Sequence, residues 1–293
     1  MFVSVFDMFK IGIGPSSSHT IGPMVAAARF LDHLRAQPFA VAGLRASLHG
    51  SLASTGDSPA TDRAVILGLS GFRADDYDAA LAEAELARIK VEGYVIPEGL
   101  GRLTFQPRDD FEFDYGPPLL GHANGMILKG CDAQGDVITQ VTYYSVGDCF
   151  VLTEEELSQG SDAEDGPLVP FPFQSAVQML KMAADSGLSV AQMKRRNERA
   201  RKPEADLDAG LFRIWSVMSS CIDRGLVGEG ELPGGLQVRR RAKAIHQALS
   251  AEHGMNLTAP HVINDWISTY AMAVNEENAA GGQVVTAPTN GAA

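Results

Sequence analysis

The spacing of apolar residues changes along this chain of 293 residues, and that change constrains its fold more than any other feature. Apolar residues recur with a period of two between Tyr94 and Leu152, and at helical spacing almost everywhere beyond residue 170. Such segregation of strands and helices is typical of an α+β protein. We therefore predict an α+β domain with an antiparallel sheet over residues 1–152 and an all-α domain over residues 171–293. Residues 153–170 are acidic and rich in Gly and Pro, which predicts a linker.

The same patterns predict the individual elements. Alternating apolar and polar residues between turn residues predict strands at 44–50, 102–105, 111–115, 126–129 and 137–144. Helical spacing predicts helices at 24–34, 63–69, 77–90, 174–186, 190–199, 208–224, 237–253 and 261–278. Thr61 or Asp62 is expected to cap the helix at 63–69, and Gly93 to end the helix at 77–90.

The charge of the chain limits its partners. A formal net charge of -12 and a pI near 5.0 oppose binding to nucleic acid or to an anionic membrane, so a small molecule is the expected ligand. The first residues lack the basic region of a signal peptide, and no stretch approaches the roughly 18 apolar residues of a membrane span. We expect a cytoplasmic protein.

The chain has three cysteines, Cys131, Cys149 and Cys221, and none belongs to a C-x-x-C pair. This number and spacing predict reduced, partly buried thiols rather than a disulfide framework or a local metal site.

Residues 12–23 form a segment of glycines and prolines that encloses several polar side chains directly before a predicted helix. Those polar residues are Ser16, Ser17, Ser18, His19 and Thr20. Because Pro23 fits a first helical turn, we expect them in a loop at a helix N-terminus, where free N–H groups and the helix dipole favour a carboxylate or a phosphate. The alternative is that the hydroxyls only cap the helix and His19 satisfies a local hydrogen bond.

Two other segments carry polar groups beside predicted elements. Residues 51–62 form a second hydroxyl-rich loop before a helix, and residues 122–125 place His122 and Asn124 on a turn before a strand. A single histidine at a strand end, as at His49 and His122, is more simply structural than catalytic.

The last residues are small and contain Thr289, Asn290 and Gly291, which allow a backbone to approach a ligand closely. Because a natural terminus is usually polar and frayed, we expect a partial chain whose helical domain is incomplete at its C-terminus.

Seven motifs, in order along the chain, resemble those of the single-chain bacterial iron–sulfur L-serine dehydratases. They occupy residues 4–20, 50–53, 61–62, 170–173, 232–236, 275–280 and 286–293. The resemblance implies an N-terminal β-chain-like domain similar to an allosteric substrate-binding fold, and an α-chain-like catalytic domain. It also implies a homodimer and a [4Fe-4S] cluster whose cysteines are expected beyond Ala293, so that no metal ligand is expected within the chain.

In this family a cluster iron acts as a Lewis acid on the hydroxyl and carboxylate of L-serine while a base removes the Cα proton, and the products are pyruvate and ammonia. The resemblance implies His19 or His122 as the base. It further implies that the substrate is bound by Ser16, Ser17, Ser18, Thr20, Asn124, Asn278, Thr289, Asn290 and Gly291. Pyridoxal phosphate is not expected, because no lysine lies in the context of a Schiff base with a glycine-rich phosphate loop.

The chain also departs from the family pattern. Pro59 stands where the family carries a histidine, and Asp148 and Cys149 replace two glycines. These differences keep a second hypothesis open, in which the chain is a non-catalytic serine-binding or regulatory module or an inactive fragment.

Overall fold

A computed structural model describes residues 2–54, 60–147, 150–159, 169–233, 236–252 and 262–287. The N-terminal region combines a mixed sheet with helices, and the described part of the C-terminal region consists of helices and strand β9 (Gln283–Thr286), so the predicted fold class is confirmed. Within the described ranges, no helix has both the length and the apolar character required to cross a bilayer.

Strand β2 (Gly43–Gly50) lies inside the main sheet and pairs with three other strands. The other strands are β3 (Tyr94–Val95), β4 (Leu103–Thr104), β5 (Phe111–Asp114), β6 (Asn124–Cys131), β7 (Val137–Ser145) and β8 (Val151–Thr153). Their order is β3-β4-β2-β6-β7-β8, with β5 also paired to β2. In the β2–β6 pair, His49 lies opposite Gly125 and Gly50 opposite Asn124.

The sheet is mixed rather than antiparallel, which corrects one part of the prediction. Strand β2 runs antiparallel to β6 but parallel to β4 and β5. Helices α3 (Ser51–Ser54), α4 (Thr61–Leu69) and α5 (Ala79–Glu92) connect β2 to β3, and β3 runs antiparallel to β4. The reversal of the chain between β3 and β4 therefore brings β4 parallel to β2. The period-two pattern of apolar residues is the same in parallel and antiparallel strands, so it does not predict strand direction.

The core lies between the sheet and helix α2 (Gly22–Arg35). Ala27, Phe30, Leu31 and Leu34 recur at helical spacing and are buried together with Leu48 and other residues of the sheet. Helix α4 packs closely on α2, because a methyl group at Gly68 would overlap Ala27 and the Met24 backbone. This packing fixes the start of α2 relative to the residues that follow β2.

One prediction for this region was wrong in detail. Helix α4 begins at Thr61, so Thr61 and Asp62 lie inside it, and Ala60 precedes it without a side-chain cap. At the start of the predicted linker, the acidic residues form helix α7 (Glu154–Ser158), which begins with a capping box between Thr153 and Glu156. Residues 160–168 of the predicted linker lie outside the described residues.

The C-terminal helices lie where their spacing predicts them. They are α8 (Ala176–Ser186), α9 (Val190–Arg199), α10 (Glu204–Val227), α11 (Ala242–Glu252) and α12 (Val262–Ala279). Near the end of α12, the Glu276 carboxylate accepts hydrogen bonds from the N–H groups of Arg241 (2.7 Å) and Ala242 (3.3 Å) at the start of α11. Glu277 pairs with Arg224 at 2.9 Å and with Arg240 at 2.7 Å.

The N-terminal residues pair with the helical region, although Ile13 also belongs to a buried cluster with Ile21 and Met24 of the N-terminal region. Strand β1 (Lys10–Ile13) pairs antiparallel with β9 (Gln283–Thr286), with Ile13 opposite Gln283 and Lys10 opposite Thr286. The preceding helix α1 (Val5–Met8) is held by the buried Glu198 carboxylate, which accepts from Ser4 Oγ at 2.7 Å and from the Val5 N–H at 2.6 Å. The two regions are therefore joined by backbone pairing as well as by covalent connection.

Candidate active site

The polar segment predicted as a loop forms instead one turn of π-helix, Ser17–Ile21, that continues directly into α2. The first N–H groups of α2 therefore lie inside a continuous helical segment rather than at the end of a loop. The helical N-terminus therefore lies at Ser17, within the polar segment, rather than after it at Gly22. A π-turn is uncommon and often lies at a functional site, because it displaces side chains from the regular helical pattern.

The turn brings His19 between hydroxyl groups on both sides of its ring. Nδ1 lies 3.0 Å from Ser18 Oγ and 3.5 Å from Ser16 Oγ, and these two hydroxyls are 3.3 Å apart. Nε2 lies 3.2 Å from Ser51 Oγ, on the first residue after β2. We call Ser16, Ser18, His19 and Ser51 the hydroxyl cluster.

Burial of the ring lowers the pKa of His19 below its ordinary value of 6.5, and a hydrogen bond to the Ser51 backbone acts in the opposite direction. The imidazole is therefore neutral at pH 7, and one of its nitrogens keeps a lone pair. A neutral imidazole held by hydroxyl groups can accept a proton, which is the property required of a general base.

Ser51 was not among the predicted site residues. The motif at residues 50–53 marked its position, since the turn that follows a buried strand is a common place for functional side chains. Its contact with His19 depends on the packing of α2 and α4 beside β2, which local patterns do not specify.

The Thr20 hydroxyl bonds to the backbone, whereas the resemblance implied that it binds the substrate. Its side chain is buried, and Oγ1 donates to the backbone carbonyls of Ile13, at 2.7 Å, and of Ser16. Because its hydroxyl is turned toward the backbone, Thr20 shapes the turn rather than facing a substrate. The Ser17 side chain lies outside the described residues.

Asn124 is connected to the hydroxyl cluster through Ser145. Its Nδ2 donates to the Ser145 carbonyl at 3.1 Å, and the buried Ser145 hydroxyl donates to the Ser18 carbonyl at 2.8 Å. Ser145 ends β7 and carries no sequence signal that distinguishes it from other serines. These bonds attach the π-turn to the ends of β6 and β7.

The other two histidines considered from the sequence are engaged elsewhere. His122 Nδ1 accepts from the Asn124 N–H at 3.1 Å, within its own turn. His49 is buried, with Nε2 2.9 Å from Ser47 Oγ and Nδ1 3.2 Å from the Asp114 carboxylate. Of the two residues expected to act as a base, the structure places His19 and not His122 among the hydroxyl groups.

Asn278, in the helical region, contacts the residues directly before the hydroxyl cluster. Its Nδ2 donates to the Pro15 carbonyl at 3.1 Å, directly before Ser16. A methyl group at Gly14 would overlap the Asn278 carbonyl, so the two backbones are in close contact. Thr289, Asn290 and Gly291 lie outside the described residues; β9 ends at Thr286, opposite Lys10 at the end of β1 that is remote from Ser16.

The described residues do not fit an iron–sulfur cluster. Cys131 on β6 and Cys221 on α10 are free and buried, as predicted, and burial raises the pKa of both thiols, to about 11 for Cys221. Cluster ligation requires thiolates. Across the described ranges, no three His, Cys, Asp or Glu side chains are grouped so that they could hold a metal ion. Cys149 lies outside those ranges.

Comparison with known proteins identifies two successive family matches. The model described as "Serine dehydratase beta chain" matches residues 4–156, and the model described as "Serine dehydratase alpha chain" matches residues 185–293. The hydroxyl-bearing turn belongs to the first match and Asn278 to the second. The site therefore lies where the two matched regions meet.

Curated relatives align with essentially the whole chain. An L-serine dehydratase of Streptomyces coelicolor is 44% identical over 295 residues, which is 100% of this chain and 64% of the relative. Escherichia coli L-serine dehydratase TdcG is 42% identical over 99% of this chain and 63% of its own length. An L-serine dehydratase of Haemophilus influenzae is 39% identical over 99% of this chain and 64% of its own length. The chain thus spans less than two thirds of the length of these relatives.

Proposed function

The chain belongs to the serine dehydratase family, and on that premise we propose that it carries the substrate-binding and proton-accepting residues of an L-serine ammonia-lyase. The proposed reaction removes water from L-serine and gives pyruvate and ammonia. The relatives' name, L-serine dehydratase, and the seven sequence motifs support this substrate.

The observation that carries the proposal is the position of His19. Its ring is neutral at pH 7 because burial lowers its pKa, and Nδ1 and Nε2 each lie within 3.2 Å of a serine hydroxyl. Elimination of water requires a base that removes the Cα proton, and a positioned neutral imidazole is suited to that step. We assign this step to His19.

The neighbouring groups supply contacts for the rest of an amino acid. Ser16 and Ser18 hydroxyls are suited to donate to a carboxylate, and the Asn278 side chain approaches the same segment from the other matched region. Asn124, through Ser145, holds the turn in place. A substrate bound here would be contacted by residues of both regions.

In the proposed reaction His19 takes the Cα proton, and the electrons of the Cα–H bond form the new C=C bond. The C–O bond breaks at the same time, and the hydroxyl group leaves as water once it has taken up a proton. The resulting aminoacrylate takes up water and releases ammonia, which gives pyruvate. The family resemblance leads us to propose a [4Fe-4S] cluster as cofactor. Because Cys131 and Cys221 do not form a ligand set, we propose that its ligands come from residues outside those described.

The test is pyruvate production from L-serine by the protein as its gene encodes it, purified without oxygen. We expect turnover, and we expect His19→Gln to lower kcat/KM by about 100-fold or more, as for loss of a general base. His33→Gln is the matched control: His33 lies on α2, where its Nε2 contacts Thr139 at 3.1 Å, and its loss should leave kcat/KM near the parent value. Equal activities of the His19→Gln variant and the parent would contradict the assignment.

Calorimetric titration with L-serine distinguishes the second hypothesis. A lyase gives binding together with pyruvate, whereas a serine-binding or regulatory module gives binding heat without product. The His19→Gln variant should retain part of the binding heat, because Ser16, Ser18 and Asn278 remain.

A further inference from the structure

Residues 2–14 lie on the helical region, although the sequence match places them with the region that forms the main sheet. The family match to residues 4–156 includes most of this segment. Among the described strands, however, β1 within it pairs with β9 alone, in a two-stranded sheet that is separate from the main sheet. We call residues 2–14 the N-terminal arm.

The backbone of the arm adds a strand to β9. Four residue pairs form the antiparallel ladder, with Ile13 opposite Gln283 at one end. Beyond that end the Gly14 N–H donates to the Gly282 carbonyl at 3.1 Å. An extended segment that joins the edge of a strand is a common mode of peptide recognition, because main-chain hydrogen bonds provide affinity and side-chain pockets provide specificity.

Apolar side chains of the arm pack against the helical region. The buried cluster there consists of two residues of α10 and one of β9, which are Ile214, Val217 and Val285. The arm residues packed against this cluster are Phe6, Phe9 and Ile11. Removal of these side chains from water favours docking of the arm on α10.

The surface of the helical region is shaped to the Phe6 ring. A methyl group at Gly210, on α10, would lie 2.5 Å from Phe6 Cε1, so the helix carries a glycine where the ring approaches it. Lys202 Nζ lies 4.2 Å from the centre of the same ring and makes a cation–π contact with it. Phe6 therefore has the close fit expected of an aromatic anchor in an interface.

A buried carboxylate binds the start of the arm. Glu198 on α9 is 2% exposed, and it accepts from Ser4 Oγ at 2.7 Å and from the Val5 N–H at 2.6 Å. Both donors belong to the arm and the acceptor belongs to the helical region. Undocking of the arm would break both bonds, which opposes its release because a buried carboxylate requires partners.

Hydrogen bonds between the described parts of the two regions are concentrated in the arm. Outside it, Arg213 on α10 donates to the Asp75 carbonyl, and Asn278 donates to the Pro15 carbonyl directly after the arm. The arm contributes the ladder with β9 as well as the bonds to Glu198. It is therefore the main noncovalent link between these parts of the molecule.

We propose that the N-terminal arm is the docking element by which the sheet-bearing region binds the helical region, so that the two regions remain one assembly when the covalent connection between them is cut. Its partner surface is formed by α9, α10 and β9. The inference concerns association and does not rest on the proposed function.

The test uses the whole protein with a protease recognition sequence, flanked by Gly and Ser residues, inserted between residues 164 and 165. Complete cleavage is verified by denaturing gel electrophoresis. The two fragments should then elute together in size-exclusion chromatography, at the volume of the uncut protein. Fragments that separate under these native conditions overturn the inference.

Phe6→Ala in the same cleavable protein tests the role of the arm. We expect the dissociation constant of the two fragments to rise about tenfold or more relative to the cut parent, because an aromatic anchor is lost. Sedimentation velocity over a dilution series measures this constant. Phe39→Ala is the matched control: Phe39 is exposed on the connection between α2 and β2, and its loss should leave the dissociation constant unchanged. Equal constants for Phe6→Ala and the parent overturn the inference.

Should Phe6→Ala fail to fold before cleavage, Ser4→Ala provides the comparison. It removes one hydrogen bond to Glu198 and should raise the dissociation constant about threefold or more, and an unchanged constant overturns the inference. Pyruvate production by the uncut parent is a separate readout. Its absence contradicts the proposed function and leaves the result on docking unaffected, whereas pyruvate together with fragments that separate contradicts only the docking.

Discussion

His19 illustrates how burial and local contacts together define a chemical group. Its ring is half-buried, which disfavours the imidazolium, and both nitrogens have hydroxyl partners. The ring is therefore neutral at physiological pH, and its hydrogen bonds offset the free-energy cost of its burial. Thr20, one residue later, instead donates its hydroxyl to the backbone carbonyls of Ile13 and Ser16.

The lowered pKa of His19 predicts how stability changes with pH. The unfolded chain binds a proton at His19 near pH 6.5, whereas the folded protein binds it only at lower pH. The free energy of unfolding should therefore fall as the pH decreases from about 7.5 toward 5, and level off below the folded pKa. Urea denaturation across this range should show a shallower fall for His19→Gln than for the parent; identical slopes would contradict the shift.

At the scale of elements, buried carboxylates connect helices that are distant in sequence. Glu198, 2% exposed on α9, accepts from Ser4 and Val5 at the start of α1, and Glu276 on α12 accepts from the first N–H groups of α11. Each carboxylate satisfies backbone or hydroxyl donors that would otherwise be buried without partners. Helices as short as α1 depend on such contacts, because four residues cannot stabilise a helix alone.

Replacing Glu198 by glutamine should loosen the N-terminal segment. The amide keeps one oxygen acceptor where the carboxylate has two, so we expect a loss of about 1–2 kcal/mol in the free energy of unfolding. Amide hydrogen exchange at residues 5–9 should become faster in the same variant. Glu204→Gln, which removes exposed ion pairs with Arg195 and Arg199, serves as control and should cost less than about 1 kcal/mol.

At the scale of the whole molecule, the candidate site depends on the interlocking of the two regions. Strand β1 leaves the helical region at Ile13, and within a few residues the chain enters the π-turn that carries Ser18 and His19. Asn278 and the Gly282 carbonyl meet this connection at Pro15 and Gly14. A displacement of either region would therefore move the hydroxyl cluster relative to Asn278.

Gly14→Ala tests this coupling. The added methyl group overlaps the Asn278 carbonyl, so we expect a cost of about 1–3 kcal/mol and a weaker contact between the regions. Differential scanning calorimetry should show one transition for the parent and an earlier, separate transition for the helical region in the variant. Two well-separated transitions in the parent would show that β1 and β9 do not couple the regions.

The sequence by itself determined the period of each element and hence most of the architecture. Helices such as α2 and α9 and strands such as β2 and β7 lie within a few residues of their predicted places, because their apolar residues recur at the spacing that one buried face requires. It also singled out the segment around His19, since an unusual run of hydroxyls between glycines and prolines is visible without a fold.

Only the tertiary structure decided which of these polar groups meet. Strand direction, the pairing of β1 with β9 and the approach of Ser51 and Asn278 to the π-turn depend on contacts between residues far apart in the chain. Local propensity does not encode such contacts, because they form when separate elements bury their faces against one another. For the same reason the sequence proposed two bases, and the packing of β2 beside α2 placed only His19 in the hydroxyl cluster.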